Sequence, residues 1–138
     1  MLGTYHVTKE TFEHFASAKT LSIPGGRLSL THDARIELAT GHKIALRQIP
    51  IDLGETLFCI LSGEGTWKVD KHQEYSAVFV TLANLQPSAK GCPRGEFGFD
   101  LELFDDSSLQ FHSKTKYPLL HLTIGDPDSG DALQFEKD

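Results

Sequence analysis

Apolar residues alternate with polar ones along most of this chain, and this period of two restricts the possible folds more than any other feature. Successive side chains of a β-strand point to opposite faces, so each alternating run predicts a strand with one buried and one solvated side. Turn-forming residues separate most of the runs. The runs are Leu21/Ile23, Leu28/Leu30, Ile36/Leu38, Ile44/Leu46, Phe58/Ile60, Trp67/Val69, Val78/Val80/Leu82, Phe97/Phe99/Leu101/Leu103, Leu109/Phe111, Leu120/Leu122/Ile124 and Leu133/Phe135.

The way these strands follow one another predicts the fold class. No helical segment of about 10–15 residues lies between consecutive runs, which excludes a parallel sheet built from alternating strands and helices. We predict a single all-β domain over residues 1–138, in which about ten antiparallel strands form a meander that rolls into a flattened barrel or sandwich. A short helix is expected first, because Thr8 can cap it and Phe12, Phe15 and Ala16 share one face.

The chain has the size and apolar content of one folded domain. Its 138 residues are 39% hydrophobic, enough to bury roughly two-thirds of the surface of the unfolded chain. No apolar run approaches the ~18 residues of a membrane span, and the first residues lack the basic and apolar regions of a signal peptide. We therefore expect a soluble protein that is not exported and does not bind a membrane.

The two cysteines lie in different settings. Cys59 belongs to an apolar run and is predicted to be a core residue, whereas Cys92 lies in a loop rich in glycine and proline. Two cysteines make no disulfide framework, and a zinc site needs about four well-spaced ligands. This use of cysteine favours a location in the reducing cytoplasm.

Negative charge is concentrated in the second half of the chain. The formal net charge is −6, and the stretch from Glu96 to Asp138 contains ten acidic residues and only three lysines. Nucleic-acid binding depends on clustered lysine and arginine, so direct contact with DNA or RNA is not expected. An acidic surface keeps a protein soluble, and it also speeds the encounter with a basic protein and selects against wrong partners.

Known catalytic and metal-binding patterns are missing from the sequence. There is no Gly-x-Ser-x-Gly motif, and the adjacent Asp105 and Asp106 would point to opposite faces of a strand. The segment Asp126 to Asp131 lacks the ligand spacing of a calcium loop. His112 and His121 can meet across neighbouring strands, but a surface or structural role is the simpler interpretation. We predict no catalytic residue, no metal site and no cofactor.

Two resemblances to known families suggest functions. Gly65-Thr66-Trp67 opens a predicted strand and resembles the Gly-x-Trp signature of lipocalin-like barrels, which implies a barrel that holds a small apolar ligand. The second half of the chain, with Gly65-Thr66-Trp67, Leu119 to Gly130 and Phe135-Glu136-Lys137, is similar to small all-β bacterial immunity proteins. Such proteins accompany polymorphic toxins, including those of contact-dependent growth inhibition. This second resemblance implies a cytoplasmic inhibitor.

The charge distribution and the second resemblance together predict an immunity protein that blocks the active site of a basic toxin, such as a nuclease. Its carboxylates would imitate the charge of RNA and pair with lysines and arginines of the toxin. The predicted partner-binding residues are Asp100, Glu102, Asp105, Asp106, Asp126, Asp128 and Asp131. The alternative is a carrier of a small hydrophobic ligand, with Trp67, Phe79, Phe97 and Phe99 near its cavity.

Overall fold

Eight antiparallel strands close into one barrel in the computed structural model, which describes residues 2–11, 13, 33–53, 58–71, 76–86, 91–104, 118–123 and 132–138. Each strand pairs with the next along the chain, and the last pairs with the first. The strands are β1 (Gly3–Val7), β2 (Arg35–Ala39), β3 (Lys43–Asp52), β4 (Phe58–Lys71), β5 (Ser76–Leu85), β6 (Gly95–Phe104), β7 (Leu119–Thr123) and β8 (Ala132–Lys137). The all-β prediction is confirmed, and the barrel rather than the sandwich forms.

The expected helix begins after β1, with helical residues at 9–11 and 13. Thr8 caps it, because the Thr11 N–H donates a hydrogen bond to the Thr8 hydroxyl oxygen at 3.2 Å. The Gln134 N–H of β8 donates to the hydroxyl oxygen of Thr11 at 3.3 Å, which ties the helix to the barrel. Phe12, Phe15 and Ala16 lie outside the described side chains. No helix in the described ranges is long and apolar enough to cross a membrane.

The strand count differs from about ten for identifiable reasons. The runs Phe58/Ile60 and Trp67/Val69 belong to one continuous strand of 14 residues, β4, rather than to two strands with a turn at Ser62-Gly63. In that strand Cys59 and Leu61 are buried, so its inward residues are the odd-numbered ones. Strand β1 was not expected at all. The runs predicted over 21–30 and at Leu109/Phe111 lie outside the described residues.

Alternation fills the inside of the barrel with large apolar side chains. The inward residues Tyr5, Val78 and Leu82 are fully buried, as are Leu133 and Phe135 on β8. Burial of a side chain of this size contributes roughly 1.5–3 kcal/mol relative to exposure. A fully buried side chain borders no water-sized space, so the described interior is packed at these positions. The packed interior fixes each strand and thereby determines which side chains the outer surface presents.

The expectation that two cysteines make no disulfide framework is wrong. Cys59, near the start of β4, and Cys92, in the turn before β6, form a disulfide with a Cα–Cα distance of 5.8 Å. Cys92 is only 8% exposed although it lies outside the strands, and Cys59 is 2% exposed, as predicted for a core residue. The bond links the turn before β6 to the start of β4 and joins residues that are 33 positions apart. The cysteine argument for a reducing cytoplasm therefore no longer holds.

Candidate functional site

Strand β6 presents three acidic side chains on the outside of the barrel. Its residues Leu101 and Leu103 point inward and are each 1% exposed. The alternate residues Glu96 and Asp100 are exposed, and the side chain of Glu102 is 41% exposed. Because alternate residues of a strand share a face, the three carboxylates line the same side of β6 over roughly 20 Å. We define this acidic face of β6 by Glu96, Asp100 and Glu102.

The positively charged side chain on the outer face near Asp100 is Lys68, and it contacts an aromatic ring rather than the Asp100 carboxylate. In the sheet, Asp100 is opposite Phe79 of β5, and Phe79 is opposite Lys68 of β4. The Lys68 Nζ lies 5.9 Å from the centre of the Phe79 ring, where the aromatic face attracts a cation. No ion pair within the described ranges includes Asp100. Its carboxylate therefore remains open to a molecule in solution.

Glu102 faces a histidine across the strand pair. His121 of β7 lies directly opposite Glu102, and 3.9 Å separates the His121 Nδ1 from the Glu102 Oε2. The His121 side chain is 17% exposed and lies near the ring of Phe104, as expected for the outer face opposite Leu120. Burial lowers the pKa of His121 below its ordinary value of 6.5, while the Glu102 carboxylate acts in the opposite direction. His121 is thus neutral at pH 7 and does not cancel the charge of Glu102.

The lowered pKa of His121 predicts a loss of stability in mild acid. Between about pH 6.5 and the lower folded pKa, the unfolded chain binds a proton at this residue and the folded chain does not. The free energy of unfolding should therefore fall as the pH decreases from about 6.5 through this window, and the contribution of neutral His121 is fully present above it. His121→Gln should reduce this slope. Urea unfolding of both proteins from about pH 7 to about pH 5 measures it, and identical slopes would contradict the assignment.

The other predicted partner-binding acids cannot be added to the face of β6. Asp105, Asp106, Asp126, Asp128 and Asp131 all lie outside the described residues, as does His112. Within the part of the chain that the structure describes, no group of three or more His, Cys, Asp or Glu side chains is arranged to hold a metal ion. The described carboxylates of β6 are spaced along its outer face at alternate positions of the strand.

The aromatic residues assigned to a ligand cavity divide between the two faces of the barrel. Trp67 is buried inside, and Phe97 and Phe99 pack against the core with their rings 6.2 Å apart. Phe79 instead lies on the outer face, since its neighbours Val78 and Val80 point inward. Its placement near a cavity was wrong. The periodicity of β5 already contained this information, because residues adjacent to an inward-facing one must face outward.

A second outer feature, a groove of about 820 Å³ across β2 to β5, was not anticipated from the sequence. Bulges in β3 and β5 flank it, where Gln48 and Asn84 each have a φ of 54°. Bulges increase the local twist of a sheet, and small side chains on the outer face leave room between the strands. The groove carries both charges, and its side-chain lining includes Glu37, Ala39, Lys43, Ala45, Glu64, Thr66, Ala83 and Asn84.

The mixed charge of the groove distinguishes it from the acidic face of β6. Glu37, Ala45 and Glu64 lie in one cross-strand row, and Lys43 lies two residues from Ala45 on the same face of β3. A lysine near two glutamates weakens the local negative potential. The face of β6 is therefore a better match for a basic partner than this groove. To predict such a groove, one must know how the sheet curves, and a single sequence does not provide that information.

Comparison with known proteins yields no match, whether with protein-family models, with curated proteins or with solved structures. The resemblances to lipocalin-like barrels and to immunity proteins thus stay predictions that rest on the residues quoted for them. What is established about the site is its geometry on the barrel.

Proposed function

We propose that this protein binds a basic protein through the acidic face of β6 and inhibits it, as an immunity protein inhibits a toxin. One observation carries the proposal: Asp100 and Glu102 project from the same side of a strand whose opposite side is locked into the core. A nuclease toxin is the proposed partner, because its cleft must carry positive charge to hold RNA or DNA.

Rigid presentation is what makes these carboxylates suitable for recognition. Strand β6 pairs with β5 along most of its length and with β7 at residues 102–104, so the spacing between its side chains is fixed before a partner arrives. Preorganised groups lose less conformational freedom on binding than groups in a flexible loop. Arginine binds carboxylates through paired, charge-assisted hydrogen bonds. The face of β6 therefore offers fixed acceptors for arginine and lysine side chains.

The net charge of the whole chain supports the same choice of partner. At −6, it attracts a cationic protein over distances comparable to the Debye length, about 8 Å at physiological ionic strength. Long-range attraction raises the association rate more than it raises the final affinity. The cytoplasmic location expected from the sequence depended in part on unpaired cysteines, and the disulfide removes that argument. The proposed binding reaction itself does not depend on the compartment.

Neutralising the acidic face should slow association with the partner. In the variant Asp100→Asn/Glu102→Gln, the shape is retained and two charges are lost. We expect the association rate constant at low salt to fall roughly three- to tenfold, and its salt dependence to weaken. The basic protein is first isolated by co-purification with a tagged form of this chain. Stopped-flow mixing of the two purified proteins then measures both quantities.

The matched control removes the same charge elsewhere. Glu10 and Asp33 are exposed, and Asp33 directly precedes β2, which lies four strands away from β6 in the closed barrel. Glu10→Gln/Asp33→Asn should change the association rate much less than the β6 variant does. Equal rates for all three proteins at low salt would contradict the proposal, and equal slowing in both variants would show that only net charge matters.

A further inference from the structure

The disulfide between Cys59 and Cys92 carries information about where this protein works. Cys59 lies opposite Ile51 of β3 in the sheet, and both cysteines belong to the hydrophobic core cluster. Their Cα–Cα distance of 5.8 Å is within the range at which a disulfide forms without movement of the backbone. They are the only cysteines of the chain. All of its thiol chemistry is therefore committed to this one bond.

Burial indicates a structural bond rather than one that exchanges in the folded state. At 2% and 8% exposure, the two cysteines are shielded from a soluble thiol. Thiol–disulfide exchange requires direct attack of a thiolate on a sulfur atom, so shielding slows it. Regulatory and catalytic disulfides are typically exposed and close to groups that stabilise a thiolate. Cys59 and Cys92 are instead buried in the hydrophobic core cluster.

We infer that the chain acquires this disulfide in an oxidising compartment outside the reducing cytoplasm, and that the oxidised form is the working protein. Stable structural disulfides form in such compartments and are rare in the cytosol, where thiol reductants keep cysteines reduced. Bond formation releases two protons and two electrons from the Cys59 and Cys92 thiols. By exchange through a mixed disulfide, a disulfide-bonded oxidoreductase accepts the electrons and becomes a dithiol.

This inference goes beyond the proposed function and does not depend on it, because it concerns the core and not the acidic face. It replaces the sequence-based expectation of a protein that is not exported, and it changes the setting in which a partner is sought. A protein that folds in an oxidising compartment meets a secreted or incoming partner there, before that partner reaches the cytoplasm. If the binding proposal fails, the oxidation state of the cysteines is unaffected.

The test determines the thiol state of the protein in the cells that produce it naturally. Cells are quenched in acid, the proteins are denatured, and free thiols are blocked with one maleimide. The sample is then reduced and labelled with a second, heavier maleimide. We expect no first label and two second labels on the chain, which should be recovered with the extracytoplasmic fraction. Two first labels on a chain recovered with the cytosol would overturn the inference.

A control and a second measurement exclude artefacts of handling. A cytosolic protein with two cysteines in the same sample must carry two first labels, which shows that quenching prevented oxidation. For the purified protein, dithiothreitol should reduce the disulfide only slowly under native conditions and rapidly in denaturant. Equally rapid reduction in both conditions would contradict a structural role, because it would mean that the bond is accessible in the folded barrel.

Discussion

Replacement of Gly65 with alanine is expected to destabilise the barrel by about 3 kcal/mol or more and to lower Tm by roughly 10 °C. Gly65 lies in the middle of β4 and is paired with Leu82 of β5. A Cβ atom at this position would overlap the carbonyl oxygen of Thr81 and lie 2.8 Å from the Leu82 Cα. Both are backbone groups, so relief requires β4 and β5 to separate. Thermal unfolding monitored by circular dichroism measures the change.

Gly98 provides the matched control for Gly65. It lies in β6, and a Cβ atom there would be 3.4 Å from the Val80 carbonyl oxygen, an ordinary contact distance. Gly98→Ala should change the free energy of unfolding by less than about 1 kcal/mol. If Gly65→Ala unfolded at the same temperature as Gly98→Ala, the close approach of β4 and β5 described for Gly65 would be wrong.

Removal of the disulfide should produce the second large effect. The bond closes a loop over a sequence separation of 33 residues, and the chain-entropy argument assigns such a loop a stabilisation of ~4 kcal/mol. Cys59→Ala/Cys92→Ala should therefore lower Tm by more than about 10 °C. Alanine is used at both positions because it leaves no polar group among the buried neighbours.

Reducing agent supplies the control for the disulfide variant. In the presence of dithiothreitol, the free energy of unfolding of the wild-type protein should fall towards that of the variant. The free energy of unfolding of the variant itself should not change with the reagent. Urea titrations with and without reductant compare the four conditions directly. A variant as stable as the oxidised wild-type protein would show that the bond adds nothing to the stability of the fold.

The architecture could be predicted because it follows from local periodicity. The alternation of Val78, Val80 and Leu82 indicated both the presence of β5 and its buried face, and the same reasoning held for β6. Thr8 was recognised as a helix cap from its residue type alone. These inferences use only the geometry of neighbouring residues, and that geometry is the same in any β-protein.

Other features could not be predicted because they depend on distant residues. Ser62 and Gly63 suggested a turn, whereas both lie inside β4, where Gly65 marks a close approach between backbones. The pairing of β1 with β8 joins the two ends of the chain, and no local pattern encodes that register. The same limitation applies to Cys59 and Cys92, since their proximity results from the folded loop.

The candidate site was partly accessible from the sequence. Asp100 and Glu102 alternate with inward leucines, so the periodicity of β6 is sufficient to assign both carboxylates to its outer face. The relation of Glu102 to His121 needed the pairing of β6 with β7, and the neighbours of Asp100 needed the pairing with β5. The other predicted acids lie in segments with no alternation to orient them.

The most direct test of the binding proposal is co-purification of the tagged chain with its partner from the natural host, followed by mass spectrometry. The wild-type chain and Glu10→Gln/Asp33→Asn should retain a basic protein near one to one at moderate salt. Asp100→Asn/Glu102→Gln should retain several-fold less of it. Equal retention by all three chains would contradict binding through β6, and a bound lipid or pigment without any basic protein would favour the carrier instead.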